Sequence, residues 1–387
     1  MSSTASTPSY TKDQPLLTRI VENRQLTGPE SEKETRHFAI DIAGSGLTYE
    51  AGDALGICPT NRPLEVEEII ERLGATGWEA VTMPRGSETV TLREALLNKL
   101  ALAGPTRRTV ELFAQRASAA AERERLQALI APESVQALAA FTAERHFVDL
   151  LTENPSAVLS PQEFVDQLRR LAPRLYSIAS SPLVYPERVH LTVSVVRYST
   201  NQRDRHGVCS TFLANRVALG ETPVLVFAAE SHFRLPQDTS RDVIMVGPGA
   251  GLAPFRAFLQ QREVTRAPGR NWLFFGEQHR ACDYLYREEL EAWSGSGHLA
   301  RLDLAFSRDQ AERIYVQQRM LEAAAELWRW LEGGACLYVC GDAKRMAKDV
   351  DGALHRIVAE QGAMPVEAAA EYVKRMKREK RYQRDVY

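Results

Sequence analysis

The sequence predicts two fold classes in one chain: an antiparallel β domain interrupted by a helical insertion, followed by a doubly wound parallel α/β domain. Three observations lead there. Alternating apolar positions dominate residues 16–60 and return after 174. Helical spacing fills the stretch between. From 240 onward, uniformly apolar strands alternate with helices. At 387 residues the chain exceeds one ordinary core and fits two or three domains. Apolar residues make up 44% and charged residues 25%, an ordinary globular balance.

The first element group is strand-like. LLTRIVENRQLT and ETRHFAIDI alternate, and YEAGDALGICP closes on Gly and Pro. The opening residues, 1–15, are Ser/Thr-rich without an apolar core, which predicts a disordered tail and no secretory signal. In NRPLEVEEIIERLGATG, Val66, Ile69, Ile70 and Leu73 share a helix face, with Asn61 as the expected N-cap. Helical patterns continue through TLREALLNKLAL, ERERLQALIA and SPQEFVDQLRRL, so the insertion spans about 62–172. Strand character resumes at RLYSIASS and VHLTVSVVRYS, then in TPVLVFAAE and HFRLP, with the short helix STFLANRV between. The interrupted β domain therefore covers 16–236 and the second domain 237–387. In the latter, DVIMVG, NWLFFG, LARLDLAFS and ACLYVCG are buried strands with helices between them, the mark of a parallel sheet.

Composition excludes some functions. The net charge of −2 exerts no overall pull on nucleic acid or anionic membrane. No apolar run approaches the roughly 18 residues of a membrane span. The five cysteines form no CxxC pair and no metal-ligand cluster, so no metal is expected and a reduced, cytoplasmic setting fits.

Four groups of residues carry chemistry. In VIMVGPGAGLAPF a buried strand ends at Gly247, Gly249 and Gly251 flank Ala250, and a helix begins near Pro254. Glycines let backbone approach a pyrophosphate, and the helix N-terminus offers free N–H groups, so a nucleotide is expected here. In AFSRDQAERIYVQQ, Ser307, Arg308, Arg313, Tyr315 and Gln317 follow a parallel strand closely. They suit a 2′-phosphate, and Asp309, a carboxylate that would favour a ribose without it, is outnumbered. In RLYSIASSP, Arg174 and Tyr176 share one strand face and Ser177 takes the other. In HGVCSTFL, Gly207, Val208, Cys209 and Ser210 precede a helix and form a second anion cradle. Two phosphate cradles on two domains suggest two dinucleotides facing one another.

These residues, together with WLFFG, YVQ, LYVCGDAKRMAKDV and KRYQRDVY, resemble the ferredoxin–NADP⁺ reductase module of diflavin reductases. Within that family the likeness is greatest to the flavoprotein subunits of assimilatory sulfite reductases, and it runs from about 16 to 387. It implies an antiparallel β-barrel holding FAD, a helical connecting insertion and an NADP(H)-binding α/β domain. It implies that Arg174 and its strand neighbour Leu175 lie along FAD, that Tyr176 packs on the isoalloxazine and that Ser177 lies near N5. Thr192, Val193 and Ser194 would meet the rest of the flavin nucleotide, Tyr198 its adenine half, and Gly207 to Ser210 its phosphates. Asp349 would join the NADP contacts. Ser177, Cys340 and Asp385 would surround the hydride path, although Cys340 read alone also suits a buried small hydrophobe. Tyr387 would cover the flavin face that the nicotinamide must reach.

The resemblance has two gaps. Diflavin reductases carry an FMN domain ahead of this module, and only about 15 residues precede it here, so no FMN is expected in this chain. An electron-acceptor protein is expected instead: a sulfite reductase haemoprotein, a flavodoxin-like FMN protein or another haemoprotein. Ala250 stands where the family usually has Thr, which implies weaker NADPH binding or slower hydride transfer. The basic run VKRMKREKRYQR has two readings, a solvated helix face or a docking surface for an acidic partner.

Overall fold

A computed structural model describes residues 10–387. Positions 1–9 of the expected 1–15 tail lie outside the described residues. From Tyr10 the chain is held: the Tyr10 hydroxyl donates to the Ser45 carbonyl at 2.8 Å, and Thr11 pairs with Gln14. The chain divides into two compact units. One runs to Ile57 and takes in Leu175–Val195 and Val217–Tyr387; the other comprises Cys58–Arg174 and Val196–Arg216.

The first unit contains both large sheets. The antiparallel one is built from β1 (Leu16–Gln25), β2 (Thr35–Asp41), β3 (Ala54–Cys58), β4 (Arg174–Ser177), β5 (Arg188–Ser194) and β6 (Pro223–Ala229), in the order β4-β3-β6-β1-β2-β5. Period-two alternation forms these strands, as in β1, where Ile20 is buried between exposed Arg19 and Val21. Its end strands also meet. Ile178 bridges Leu191, and the Ala179 N–H donates to the His190 carbonyl at 2.7 Å. HFRLP, expected as a strand, is a loop here. Buried Phe233 in it packs on Phe255, Phe258 and Tyr338, so tertiary packing and not a ladder fixes it.

The parallel sheet contains β7 (Val243–Val246), β8 (Asn271–Glu277), β9 (Arg301–Phe306), β10 (Cys336–Gly341) and β11 (Tyr382–Val386), ordered β9-β8-β7-β10-β11. One face buries Ile244, Val246, Phe274 and Val339, and the other buries Met245, Phe275, Tyr338 and Cys340. That two-sided burial is why these strands read as continuous apolar runs. The chain winds outward from β7 to β9, then returns to lay β10 on the opposite side of β7. The reversal between β7 and β10 is a topological switch point, where strand ends leave a crevice.

The second unit is the helical insertion plus the segment 196–216. Its core is formed by Val66, Ile69, Leu96, Phe113, Phe147 and Phe164 with their neighbours. Asn61 is not the N-cap of helix Pro63–Arg72; Arg62 holds that position without a side-chain cap. Asn61 is buried, and its amide donates to the Leu96 and Leu100 carbonyls, each at 2.6 Å. The Leu96 carbonyl within the π-helical turn Ala95–Lys99 and the Leu100 carbonyl just after it hold this side chain in place of the helix end. That turn also replaces most of the helix expected in TLREALLNKLAL.

Candidate active site

In the first unit, the parallel strands and the antiparallel sheet converge on one cluster. β11 pairs with β10 in a register that sets Asp385 opposite Cys340 and Val386 opposite Gly341. The Asp385 carboxylate accepts a hydrogen bond from the Ser177 hydroxyl of β4 at 2.6 Å, and the Cys340 thiol lies 3.8 Å from the same oxygen. Cys340 is fully buried. Burial first, then the Asp385 charge, pushes its thiol well above the ordinary range, so it stays protonated. Tyr387 follows directly. Its N–H donates to the Gly341 carbonyl at 3.1 Å and its carbonyl accepts from the Ala343 N–H at 3.0 Å, so its backbone is fixed while the residue as a whole is exposed. Tyr176 lies half-buried on β4, with Leu175 exposed beside it.

The glycine loop occupies the switch point. Gly249–Leu252 is a 3₁₀ turn that runs into helix Ala253–Val264 with Pro254 in its first turn. A side chain at Gly251 would meet the Cys340 carbonyl at 2.3 Å, and one at Gly247 would meet the Phe255 ring at 2.6 Å. Gly249 has φ +58°, and a Cβ there would lie 3.1 Å from a Glu277 carboxylate oxygen. The loop thus touches β10 backbone to backbone. Ala250 is half-buried within it.

Glu277 ends β8 under this loop. Its side chain is buried and its carboxylate pairs with the Lys33 ammonium at 2.7 Å. Burial pushes its pKa above the ordinary carboxylate value, and Lys33 opposes that shift. Beyond it, the Ser307 N–H donates to the Glu277 carbonyl at 2.8 Å and the Arg308 N–H to that of Gln278 at 2.9 Å. Arg308 and Ser307 therefore stand at the carboxyl ends of β8 and β9. Asp309 is engaged elsewhere: it accepts from His279 at 3.0 Å and from the Arg280 N–H at 2.9 Å. Arg313 and Tyr315 are exposed and Gln317 is half-buried, with Tyr315 at the N-cap of helix Val316–Glu322. Asp349 is exposed in the first turn of helix Met346–Gln361.

The residues expected on β5 are differently placed. Thr192 and Val193 are buried, and the Thr192 hydroxyl bonds the Tyr286 hydroxyl at 2.7 Å. Ser194 is exposed, 3.3 Å from the Thr35 hydroxyl. Thr192 therefore belongs to a network that sequence reasoning missed. Tyr286 also bonds His37 Nδ1 at 2.9 Å. Arg256 forks onto Glu289 at 2.7 and 2.9 Å, donates to the Ala179 carbonyl at 2.7 Å and approaches His190 at 3.3 Å. The one signal was Arg256 itself, a charge on an otherwise apolar helix face. Its partners Ala179, His190 and Glu289 come from three distant segments with no spacing in common.

In the second unit, Gly207 precedes helix Val208–Thr211. A Cβ on Gly207 would meet Val196 at 2.7 Å, so glycine is required for this close turn. The Ser210 hydroxyl accepts from the Val196 N–H at 3.1 Å and holds the turn, leaving the recognition of an anion to the first-turn backbone. Cys209 is buried below. Arg216 fastens the cradle through bonds of 2.8 Å to the Thr60 hydroxyl and 2.6 Å to the Asn61 carbonyl. Tyr198 stands 46% exposed on the hairpin Arg197–His206, opposite Arg205, which pairs with buried Asp149. Arg174 is exposed, 3.3 Å from the Ala172 carbonyl. A phosphate and an adenine would find compatible groups in this unit: a glycine turn at a helix start, an arginine and an exposed aromatic.

Among the described residues no cluster of His, Cys, Asp and Glu could hold a metal ion, and no helix is long and apolar enough to cross a membrane. None of the five cysteines, all among the described residues, forms a disulfide.

Comparison with known proteins agrees with this chemistry. The family model "FAD binding domain" matches residues 8–212, and "Oxidoreductase NAD-binding domain" matches 245–352. Three curated relatives are named sulfite reductase [NADPH] flavoprotein alpha-component. That of Bacillus subtilis is 43% identical over 98% of this chain, that of Mannheimia succiniciproducens 44% over 99%, and that of Shigella flexneri 46% over 98%. The chain spans 62% of the length of each. With more than half its residues inside the first match and parallel strands β8, β9 and β10 inside the second, the chain belongs to the FAD binding domain family and carries an oxidoreductase NAD-binding domain.

Proposed function

We propose that the chain is an FAD-dependent NADPH reductase that delivers electrons to a protein acceptor in sulfite reduction. The observation that carries this reading is the Ser177–Asp385–Cys340 cluster at the switch point, within reach of the glycine loop and next to the Tyr387 ring. FAD supplies the hydride acceptor and releases electrons singly. The antiparallel sheet serves as its barrel, a closure supported by the Ile178–Leu191 bridge. In the first unit Tyr176 and Tyr387 would take a flavin ring; in the second unit the Gly207–Ser210 turn and Arg174 offer groups suited to a phosphate.

The chain's own groups then align the nicotinamide. Gly249–Leu252 receives the NADPH diphosphate, while Ser307 and Arg308, with Arg313, Tyr315, Gln317 and Asp349, hold the adenosine end. The engagement of Asp309 with His279 and Arg280 favours a 2′-phosphate over a bare ribose, because this carboxylate is not left to claim the hydroxyl. The Asp385 carboxylate orients the Ser177 hydroxyl and would stabilise positive charge on a bound nicotinamide. Neutral Cys340, fully buried beside Asp385, would support this site without competing for protons. Cys340 is fully buried, whereas Ser177 and Asp385 are half-buried and open to a ligand.

The acceptor we propose is a sulfite reductase haemoprotein, reached directly or through an FMN protein, in the cytoplasm. The basic run supports the solvated-face reading of its helix, Val366–Arg378. Lys374 pairs with Glu371 and Lys377 with Asp351, each at 3.1 Å, and Arg381 pairs with Glu379 at 3.2 Å. The test is anaerobic NADPH reduction of the flavin-loaded protein, then mixing with haemoprotein, flavodoxin or cytochrome c. Bleaching by NADPH with reoxidation by the haemoprotein or by flavodoxin supports the reading. A protein that does not take up FAD, or that NADPH does not bleach, refutes it.

A further inference from the structure

The connection between β1 and β2 reaches onto the carboxyl ends of the parallel strands. The Gly28 N–H donates to the Cys282 carbonyl at 2.7 Å. Three consecutive side chains then make three consecutive contacts: Ser31 bonds the Asp283 carboxylate, Glu32 pairs with the Arg308 guanidinium, and Lys33 pairs with Glu277 at 2.7 Å. Ser31 and Lys33 meet buried carboxylates, whereas Glu32 and Arg308 are both solvent-accessible.

Arg308 is the residue that the proposed NADPH reading assigns to the 2′-phosphate, and the role of its partner Glu32 rests on that reading. The Arg308 backbone is fixed by the bond to Gln278, so the guanidinium is the part left to choose a partner. A carboxylate offers that fork the same charge-assisted acceptors as a phosphate does. We propose that Glu32 is an intramolecular competitor for the 2′-phosphate: its carboxylate holds Arg308 until a phosphorylated ribose displaces it. Because Ser31 and Lys33 anchor the segment on either side, displacement needs only the Glu32 side chain to rotate away. The competitor therefore lowers affinity for 2′-phosphorylated nucleotides while leaving the others alone. It weakens the hold on NADP⁺ after hydride has left and narrows discrimination against NADH.

The test is calorimetric titration of the flavin-loaded protein with adenosine 2′,5′-bisphosphate and with 5′-ADP, which lacks the 2′-phosphate. Glu32→Gln should bind the bisphosphate about two- to fivefold more tightly, the range set by an exposed ion pair, and 5′-ADP equally well. Glu30→Gln, which removes a charge from the same exposed loop, should change neither. Unchanged or weaker bisphosphate binding in Glu32→Gln overturns the competitor, as does equal tightening in Glu30→Gln. If the unaltered protein fails to prefer the bisphosphate to 5′-ADP, the NADPH reading itself falls. If it shows that preference and Glu32→Gln changes nothing, only the competitor falls.

Discussion

Ser177 and Asp385 are 208 residues apart in sequence, yet the hydroxyl of one donates to the carboxylate of the other at 2.6 Å. The bond joins an antiparallel strand to the last parallel strand and leaves the Cys340 thiol 3.8 Å from the shared oxygen. A hydrogen bond to a charged group is worth about 1.5–3 kcal/mol, or roughly 10–100-fold in rate if it is made fully only in the transition state. Asp385→Asn should therefore slow flavin reduction by NADPH about 10–100-fold and leave the affinity for adenosine 2′,5′-bisphosphate unchanged. Stopped-flow reduction measures the first quantity and calorimetry the second. Equal losses in both would make Asp385 a structural residue only.

Tyr387 is an exposed residue on a fixed backbone. A large aromatic held that way by Gly341 and Ala343 is placed to cover a flat group. Tyr387→Ser should tighten nicotinamide binding and raise NADH use relative to NADPH, because the 2′-phosphate would no longer be needed to offset displacement of the ring. Steady-state kcat/KM for both nucleotides gives the ratio. An unchanged preference counts against the covering role.

The elements that could be read from sequence are those whose burial is regular. β7, β8 and β10 are buried on both faces and announce themselves as apolar runs, and the glycine loop is legible because its backbone contacts forbid side chains at 247 and 251. β11 carries no such strand signal. As a parallel edge strand it buries only Tyr382 fully, and YQRDV carries two charges. The candidate cluster around Asp385 was reached through family likeness, because the register of β10 with β11 has no local signal. The Arg256 network was missed for the same reason: hydrogen bonds between distant segments leave no period. HFRLP misled in the other direction, since a loop pinned by aromatic packing alternates as a strand does.

His37 and His190 sit within that network, edge to face with ring centroids 4.7 Å apart. Tyr286, Arg256, Arg24 and Glu22 face His37, while Arg256, Arg188, Arg24 and Tyr185 face His190. Burial first, then neighbouring positive charge, lowers His37 to about 2 and His190 to about 3. Both stay neutral in the fold while the unfolded chain protonates them below about 6.5. The unfolded state then binds more protons, so stability is full above that value and is lost as pH falls toward the folded ones. Each histidine adds a slope of about 1.4 kcal/mol per pH unit between 6 and 4. Chemical denaturation across that range should show the decline, and His190→Gln should remove about half of the histidine-dependent slope. A variant with the full slope would mean that other groups cause it.

Lys33 and Glu277 make a final, oppositely signed case. The Glu277 side chain is 1% exposed and burial raises its pKa above the ordinary 4.5, whereas Lys33 is 41% exposed. A carboxyl whose folded value lies above its unfolded one contributes stability that is fully present below the unfolded value. That contribution is lost as pH rises through the folded value. Lys33 limits the loss by pairing with the ionised form. Lys33→Met should therefore destabilise the protein by about 1–2 kcal/mol at pH 7.5, where Glu277 is left buried and charged without its ammonium. At pH 5 the deficit should shrink, because the unpaired carboxyl takes up a proton, and Glu277→Gln in the same chain should restore most of the stability at pH 7.5. Denaturant midpoints at the two pH values decide the matter: a deficit that does not change with pH would mean that Lys33 acts by packing its stem and not by its charge.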